Sequence, residues 1–472
     1  MIRIQKIKNI LSILFFSLLS VSCQEWLDVS PSTEIKYDDL FSYKNGFKDQ
    51  LTGVYTTLCS ENLYGVELSF GMLDVLGQQY YLWTPANGPY YNLHRFEYDT
   101  PDVEASINTI WTDMYNTVAN VNILLQGIAE HRGVLVEDEE KIYEGEAYAL
   151  RAFLHFDLLR LFGKSYVSGT DEKAIPYVKA ISKKVTPLST VSEVLDLVIE
   201  DLEKAAALLE EDPIKTGQAT TSFLGTRSFH LNYYAVRALM ARAYLYKNDK
   251  VNALKNAREV IFSGKYPWVS KGVVATSDRK DRDGIFSPEC IWTLNNTQLK
   301  TLSENYFKES DKTLYCKSDV IDEIFESELY GGSDWRYIYY FERPAWYWLS
   351  NKLYQYVTSD YNNRQPLLRL SEMYLIAAEC ATSKKEAVEY LNTLRRHRGF
   401  EEVHDLKENI TDENLQMAIR KEYRKEFIGE GQWFFYCKRT EQAVLPNITV
   451  PFSKAYYVLP MPDQEKEYGN RN

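Results

Sequence analysis

The segment 367–399 constrains the fold of this chain most strongly, because its apolar residues recur at a helical interval. Its first part predicts a helix that ends at Cys380. After a turn at 381–383, a second helix is predicted up to Arg398, and Gly399 suits the left-handed residue that often follows a helix. The apolar stripe of the first helix consists of Leu367, Leu370, Tyr374 and Ala377. The segment therefore predicts two antiparallel helices joined by a three-residue turn.

A second hairpin of the same design lies earlier in the chain. Helices are predicted over 233–246 and 251–261, on either side of a turn at Asn248 and Asp249. Further helices are predicted over 43–58, 110–128, 143–162, 194–209 and 419–427. Because the spacing of these units is irregular, we predict a mainly α-helical scaffold of tetratricopeptide-like hairpins rather than a regular array. Within 143–162, Arg151 and Asp157 are expected to form an ion pair.

The stretch 267–366 differs from the helical parts, because turn residues, aromatic residues and short β-prone runs replace the helical period. Strands are predicted at 289–294 and 335–341, the second in a hairpin with 353–357. At 472 residues the chain is long for one compact core, so two lobes are expected. We place an N-terminal helical region at 41–265 and a C-terminal, loop-rich region with short β-strands at 266–472.

The first residues have the pattern of a secretory signal. Three cations precede the apolar run 10–19, which is too short to span a membrane, so 1–22 is predicted to be a signal peptide rather than a signal anchor. Small residues then lead to Cys23, as in a bacterial lipobox, and a lipid on this cysteine would attach the chain to a membrane. Residues 23–40 are predicted to be an extended tether.

Charge and cysteine content exclude several classes of protein. The formal net charge is −12, and it becomes −15 without 1–22, which carry three cations and no acidic residue. An acidic balance of this size argues against nucleic acid as a partner. Beyond Cys23 the chain has five cysteines and no C-x-x-C pair, so buried thiols are favoured over a disulfide framework.

Two carboxylates near the end of the chain raise the question of catalysis. Glu422 and Glu426 are four residues apart and would share a helix face, as a general acid and base would. Nearby cations would lower the pKa of both carboxyl groups and remove the acid. These cations are Arg420, Lys421, Arg424, Lys425 and Arg439. We therefore predict a structural ion-pair network and no catalytic residue.

Metal and phosphate motifs are incomplete. Asp278, Asp281 and Asp283 resemble part of a calcium loop, but Arg279 and Cys290 occupy the first and twelfth ligand positions. A solvated charged loop is the alternative that we prefer. The run 163–165 (Gly-Lys-Ser) lacks the earlier glycine of a P-loop, and the histidines form no H-E-x-x-H motif. We predict neither a metal nor another cofactor.

Several blocks of the sequence resemble one known family. They are the lipobox with Trp26-Leu27-Asp28, and the stretches 151–163, 241–245, 334–336, 368–379 and 420–431. Each block alone is a loose match, but in this order over nearly the whole chain they resemble the SusD/RagB family of surface lipoproteins from glycan-using Gram-negative bacteria.

The resemblance implies a non-catalytic binding protein with helical hairpins of the tetratricopeptide type. It implies attachment to the outer membrane through a lipid on Cys23, facing the cell surface. It further implies two partners. One is an oligosaccharide, or in some members a peptide, and the other is a SusC-like TonB-dependent transporter that receives the ligand.

In this family, aromatic side chains on loops hold the ligand. The chain is rich in such residues, with 36 tyrosines and 9 tryptophans, and the loop 79–92 combines five large rings with two prolines and a glycine. Expected ligand-binding residues on this loop are Tyr81, Trp83, Asn87, Tyr90 and Tyr91. A second set is Trp346 and Trp348 on a proline-containing turn, with packing on the neighbouring lobe as the alternative.

Two other classes of protein stay open on the sequence. A surface-anchored glycoside hydrolase would need two carboxylates roughly 5–10 Å apart in a cleft, without arginine partners. A helical-repeat protein that binds peptides or protein partners would instead present a mainly apolar concave groove.

Overall fold

The computed structural model describes residues 37–82, 88–219, 221–278, 281–308, 314–330, 332–343, 347–355, 361–448 and 450–469. Within these ranges the protein is mainly α-helical and carries short β-strands in three small sheets, which confirms the predicted fold class. The predicted signal peptide and Cys23 lie outside the described residues. A helix begins at Tyr37, within the range 23–40 that we predicted as a tether, and the rest of that range lies outside the described residues.

The N-terminal half contains ten α-helices among its described residues, together with one strand pair. These elements are α1 (Tyr37–Phe41), α2 (Lys44–Leu58), α3 (Met72–Leu76), α4 (Pro89–His94), α5 (Pro101–Glu130), α6 (Glu137–Phe162), α7 (Tyr166–Gly169), β1 (Lys173–Pro176), β2 (Leu188–Thr190), α8 (Val191–Leu208), α9 (Pro213–Thr216) and α10 (Ser222–Gly225).

The following part contains the two hairpins and the remaining strands. Its elements are α11 (Tyr233–Tyr246), α12 (Lys250–Ile261), α13 (Lys271–Val274), β3 (Cys290–Asn295), α14 (Leu299–Phe307), β4 (Tyr315–Lys317), α15 (Ser318–Phe325), α16 (Ser327–Tyr330), α17 (Trp335–Tyr339), β5 (Phe341–Glu342), β6 (Tyr347–Ser350), β7 (Arg364–Arg369), α18 (Leu370–Cys380), α19 (Lys384–Arg396), α20 (Asp412–Glu426), α21 (Gln432–Arg439) and α22 (Asp463–Tyr468).

The long helix α6 lies at the centre of the N-terminal half. It packs against α5 on one side and α8 on the other, and nearly all of its residues from Ile142 onward are buried. Gly145 permits the close approach of α8, since a Cβ at this position would lie 2.8 Å from Cγ of Leu209. The continuous apolar sequence of α6 therefore reflects the packing of this helix on several sides.

The expected ion pair between Arg151 and Asp157 is wrong. Arg151 donates to Asp201 of α8 through Nε at 2.7 Å and through Nη2 at 2.8 Å. Asp157 instead accepts from Arg160 and from the hydroxyl of Tyr64. Side chains six residues apart point to different sides of a helix, whereas partners three or four apart share a face.

Both predicted helical hairpins are present, and they adjoin each other through α12 and α18. The helix predicted to begin at Leu367 begins at Leu370, because 364–369 form strand β7, which pairs antiparallel with β3. Gly399 has a φ of +100°, and a Cβ there would lie 2.2 Å from the carbonyl oxygen of Ser333. The predicted left-handed position is therefore confirmed, and it fits only a glycine.

The strand predicted at 289–294 is confirmed as β3, but the one predicted at 335–341 is wrong. Residues 335–339 form helix α17, because Asp334 accepts from the backbone N–H of Arg336 and starts a helical turn. Only β5 remains extended, and it pairs with β6 rather than with the predicted partner at 353–357. Strand β6 pairs on its other edge with β4, which gives the order β4-β6-β5.

The helical and the loop-rich regions share one continuous core, which reaches from Phe41 to Leu459. The boundary at residue 265 stays a prediction. All five cysteines of the described residues are free thiols, four of them buried, as predicted. None of the described helices is long and apolar enough to cross a membrane.

Candidate functional site

The outer face of the β4-β6-β5 sheet carries a group of half-buried tyrosines. Along β4, Tyr315 and Lys317 point outward while Cys316 is buried between them, as the two-residue period of a strand requires. In β6, Tyr347 lies opposite Lys317 in the strand register. The ring centroids of Tyr315 and Tyr347 are 5.5 Å apart, so the two rings form one continuous surface.

A third tyrosine reaches this face from the N-terminal half. The backbone N–H of Tyr81 donates to the carbonyl oxygen of Tyr315 at 2.9 Å, and their rings meet edge to face at 6.1 Å. Nζ of Lys317 lies 3.8 Å from the centroid of the Tyr81 ring. We call Tyr81, Tyr315 and Tyr347 together with Lys317 the tyrosine cluster.

Tyr315 of the tyrosine cluster is a neutral phenol at neutral pH. Burial raises the pKa of Tyr315 to about 12, and the neighbouring Tyr81 and Tyr347 add to the shift. The phenol of Tyr315 therefore keeps its proton far above neutral pH. The hydroxyl oxygen of Tyr315 is itself buried, so this face offers a ligand aromatic rings and one ammonium group.

The backbone below Tyr81 is fixed by buried contacts. Tyr80 is turned inward, where its hydroxyl lies 3.4 Å from Oδ2 of Asp74, and the carbonyl of Gln79 accepts from Sγ of Cys316 at 3.4 Å. Asp74 in turn accepts from the backbone N–H groups of Gly429 and Gly431. These contacts tie the support of the tyrosine cluster to the core, which favours a preformed surface.

The expected loop residues fall into two groups. Trp83, Asn87 and Trp346 lie outside the described residues, but the described neighbours of both loops, Tyr81 and Tyr347, meet at the tyrosine cluster. The loop 79–92 and the turn that carries Trp346, which we predicted as separate sets, therefore both adjoin the tyrosine cluster.

Three other expected residues differ in exposure. Tyr90 is buried, and its hydroxyl donates to Oε1 of Glu67 at 2.9 Å, so its ring packs in the interior. Tyr91 is half-buried beside Arg95, whose guanidinium lies 5.7 Å from the ring centroid. Trp348 is 6 % exposed on the inner face of β6, where Tyr337 and Phe341 pack on it. The Trp348 ring therefore packs within the protein, which was the alternative to ligand binding for this residue.

The carboxylates at the end of α20 lie in a sealed charge cluster. Arg336 donates to Glu422 at 2.7 Å and to Glu426 at 2.9 Å, and Glu426 also accepts from Arg369 and Arg398. Glu430 accepts from Arg369 and Lys352. These seven side chains, which we call the charge cluster, are buried. The predicted ion-pair network is confirmed.

The identity of its cations differs from the prediction. Of the residues named from the sequence, only Lys425 contacts Glu422, at 3.5 Å, while Arg439 pairs with Glu379 and Arg424 lies beside Gln79. The main cations come from α17, β7 and the end of the α18–α19 hairpin. Burial alone would raise the pKa of Glu422, but Arg336, Lys425 and Arg395 lower it to about 2.

The acidic stretch at 278–284 is used locally. Asp283 is buried and accepts from the backbone N–H of Ile285 and from both the N–H and the hydroxyl of Ser287. Arg279 lies outside the described residues. Within the described part of the chain, no three His, Cys, Asp or Glu side chains are grouped as metal ligands would be.

Comparisons with known families agree with the architecture. A family described as SusD-like, starch-binding and associating with the outer membrane matches residues 25–245, and the SusD family matches residues 284–466. The chain belongs to the SusD/RagB family. The two matches together cover both the helical and the loop-rich regions.

Individual relatives of this SusD/RagB protein are distant but extend over almost its whole length. SusD-like protein P38 of Formosa agariphila is 24 % identical over 503 aligned positions, which cover 93 % of each chain. A SusD superfamily protein of Bacteroides thetaiotaomicron superposes with a TM-score of 0.71 at 20 % identity, covering 92 % of this chain and 98 % of that one. Surface glycan-binding protein A of the same species, solved with laminarihexaose, gives a TM-score of 0.68 at 17 % identity, covering 90 % and 98 %. At these identities the structures establish a shared fold.

Sequence reasoning missed Tyr315, Tyr347 and Lys317 of this SusD/RagB protein as site residues. The alternation of Tyr315, Cys316 and Lys317 is a period-two signal, but it covers only three residues. Their meeting with Tyr81 depends on a hydrogen bond between residues more than 230 positions apart, and no local pattern indicates it.

Proposed function

We propose that this SusD/RagB protein binds oligosaccharides without cleaving them and delivers them to a SusC-like TonB-dependent transporter. The tyrosine cluster is the observation that carries the proposal. Aromatic faces accept the C–H face of a sugar ring, and the ammonium group of Lys317 can donate hydrogen bonds to its hydroxyls.

The geometry of the cluster suits a ligand that is longer than one sugar. Tyr81, Tyr315 and Tyr347 come from three segments of the chain. The ring centroid of Tyr315 lies 6.1 Å from that of Tyr81 and 5.5 Å from that of Tyr347. Trp83 and Trp346 lie within two residues of this surface along the chain, and Asn87 lies on the same loop as Trp83, so we include all three as ligand-binding residues. Tyr91 stays a further candidate.

The state of the acidic residues supports a non-catalytic role. A glycoside hydrolase needs a protonated carboxyl group beside the scissile bond. Glu422 and Glu426 are buried and paired with guanidinium groups, and the pKa of Glu426 lies well below its ordinary value despite burial, because Arg398 and Arg369 adjoin it. They reach no substrate and keep no proton at neutral pH.

The proposed location follows from the N-terminal sequence and the family. The predicted signal peptide 1–22 would direct export, and a lipid on Cys23 would hold the protein at the outer membrane. The description of the family that matches residues 25–245, which names association with the outer membrane, supports this location. A position at the cell surface would bring the tyrosine cluster to extracellular glycans.

A calorimetric screen of residues 24–472 against a panel of oligosaccharides tests the proposal, with each hit checked for breakdown products by mass spectrometry. Saturable binding with the sugar left intact is the expected result. Breakdown of the sugar would support the hydrolase alternative and overturn the non-catalytic role. No binding to any oligosaccharide, together with binding to a peptide panel, would support the peptide alternative.

The variant Trp83→Ala tests the loop beside the cluster. We expect its affinity for the best oligosaccharide to fall at least about tenfold, or by about 1.4 kcal/mol, because a stacked ring is lost. Its melting temperature should stay nearly unchanged. Equal affinity would remove Trp83 from the site, and a collapse of the melting temperature would show that the ring belongs to the core.

A further inference from the structure

A second cleft lies apart from the tyrosine cluster and shares no lining residue with it. It has a volume of about 650 Å³ and is bounded by α5, by the segment 182–186 and by α22. This volume falls within the range of roughly 300–1,000 Å³ that is typical of small-molecule sites. The cleft is therefore large enough for one or a few sugar rings.

One wall of the cleft is a row of short polar side chains on α5. Asn108, Thr112 and Asn116 line it, and their spacing of four residues places them along one face of the helix. Their side chains make no hydrogen bond to any other described residue, and all three are half-buried or exposed. Two amides and a hydroxyl are thus aligned and available to a ligand.

The floor of the cleft is aromatic and rigid. Trp111 and Tyr115 lie on the same side of α5, with ring centroids 4.8 Å apart, and Trp111 packs edge-on against Phe162. The hydroxyl of Tyr115 donates to the carbonyl oxygen of Pro176 at 2.9 Å. The adjoining backbone of Val178 accepts from the buried side chain of Asn122. These contacts fix the floor before any ligand binds.

The opposite wall comes from the C-terminal helix. Gln464 of α22 lines the cleft, and its amide has no hydrogen-bond partner in the described part of the chain. The charged lining residues Lys183, Lys184 and Glu465 carry both signs. The cleft therefore offers amides on two sides of an aromatic floor, with little excess charge.

We propose that this cleft is a second saccharide-binding site that takes pyranose rings. A ring would lie on the half-buried Tyr115, beside Trp111, which is only 5 % exposed. Its hydroxyl groups would exchange hydrogen bonds with Asn108, Asn116 and Gln464. Amides suit this role because each one both donates and accepts, as a sugar hydroxyl does. This inference rests on the proposed function in one respect, namely that the ligand is a saccharide.

Fluorine NMR of residues 24–472 labelled with 5-fluorotryptophan tests this site separately from the tyrosine cluster. The tryptophan signals are assigned with Trp→Phe variants, so Trp111 reports on the second cleft, and Trp83 and Trp346 report on the tyrosine cluster. The probes are the methyl glycosides of glucose, galactose, mannose and glucuronic acid and the hexasaccharide laminarihexaose. The glycosides are added up to about 100 mM, which saturates a site with a dissociation constant of about 10 mM.

We expect the Trp111 signal to shift saturably with at least one pyranoside. The double variant Asn108→Ala/Asn116→Ala should weaken that response at least about tenfold while its thermal unfolding is unchanged, and Tyr315→Ala should leave it intact. A Trp111 signal that no probe moves would overturn the second site, whatever the other signals do. A response that survives in the double variant would overturn it as well. Movement of the Trp111 signal without movement of Trp83 or Trp346 would support the second site and contradict the tyrosine cluster.

Discussion

The tyrosine cluster and the charge cluster both bring together reactive side chains from distant parts of the chain. They differ in whether those side chains are accessible to a ligand. In the charge cluster, Glu422, Glu426 and Glu430 accept hydrogen bonds from guanidinium and ammonium groups within a dry interior. In the tyrosine cluster the rings meet at interplanar angles of 64° and 56°, and the three tyrosines stay only half-buried. A cluster of reactive side chains therefore indicates a functional site only where solvent can reach it.

The charge cluster joins segments of the C-terminal region that are distant in the sequence. Arg398, at the end of the α18–α19 hairpin, joins Glu289 to Glu426, and Arg369 of β7 joins Glu426 to Glu430. Because each charge is buried with its partners, removing one leaves the others unpaired. Changes here should therefore act on stability and not on binding.

The largest effect is expected for Glu426→Gln. The loss of one carboxylate from three arginines should lower the free energy of unfolding by about 3–5 kcal/mol, as measured by chemical denaturation. Oligosaccharide affinity of the folded fraction should not change. Glu200→Gln serves as the control, since Glu200 pairs with Lys204 and Lys179 at the surface, where such pairs contribute about 1 kcal/mol or less. An unchanged stability of Glu426→Gln would contradict the structural role.

The neighbouring residues Tyr347 and Trp348 lie on opposite faces of β6, so variants of the two distinguish a binding role from a packing role. Trp348→Ala should lower the free energy of unfolding by about 3–5 kcal/mol, because it leaves a cavity on the inner face. Tyr347→Ala should leave stability within about 1 kcal/mol of the wild type and weaken oligosaccharide binding about tenfold. Thermal unfolding and calorimetry on both variants decide the point. If Trp348→Ala lost affinity but not stability, the assignment of the two faces would be wrong.

Acid should weaken the charge cluster through Glu422. Its pKa is about 2 in the folded protein against an ordinary value of 4.5, so the unfolded chain binds a proton first as the pH falls. The stabilisation is complete above about pH 4.5 and is lost as the pH falls toward 2. Its size is roughly 3 kcal/mol. In Glu422→Gln, the stability measured by denaturant titration should depend less on pH over this interval. An unaltered pH dependence would contradict the pairing with Arg336.

The smallest effect is expected for Lys317→Met, which keeps the side-chain length and removes the ammonium group from beside Tyr81. Affinity for a neutral oligosaccharide should fall about two- to fivefold in calorimetry, because one hydrogen bond is lost. Lys308→Met is the matched control, since Lys308 also lies near a tyrosine ring, 4.4 Å from the centroid of Tyr354. Equal losses in both variants would show that the effect is not specific to the cluster.

The helical framework could be predicted from the sequence because its signals are local. Apolar spacing located the hairpins, and Gly399 marked the end of the second one, since its left-handed backbone leaves no room for a side chain. The start at Leu370 was missed because Leu367 and Leu368 continue the apolar pattern of the helix, yet both belong to β7, which pairs with β3. At 335–341 the aromatic residues favoured a strand, but the Asp334 cap produced a helical turn.

The candidate site could be predicted only in part, because it is assembled from segments that are distant in sequence. The aromatic loops were recognisable, and Tyr81 belongs to the cluster. The pattern did not show that Tyr90 and Trp348 turn inward, since burial depends on the strand and helix partners that cover them. Tyr315 became visible only through its hydrogen bond with Tyr81.

A crystal structure of residues 24–472 with the tightest oligosaccharide from the screen tests the central claim most directly. The account predicts intact sugar rings against Tyr315 and Tyr347, with hydroxyl groups within hydrogen-bond distance of Lys317 and no sugar near the charge cluster. An oligosaccharide bound elsewhere, with the tyrosine cluster empty, would contradict it.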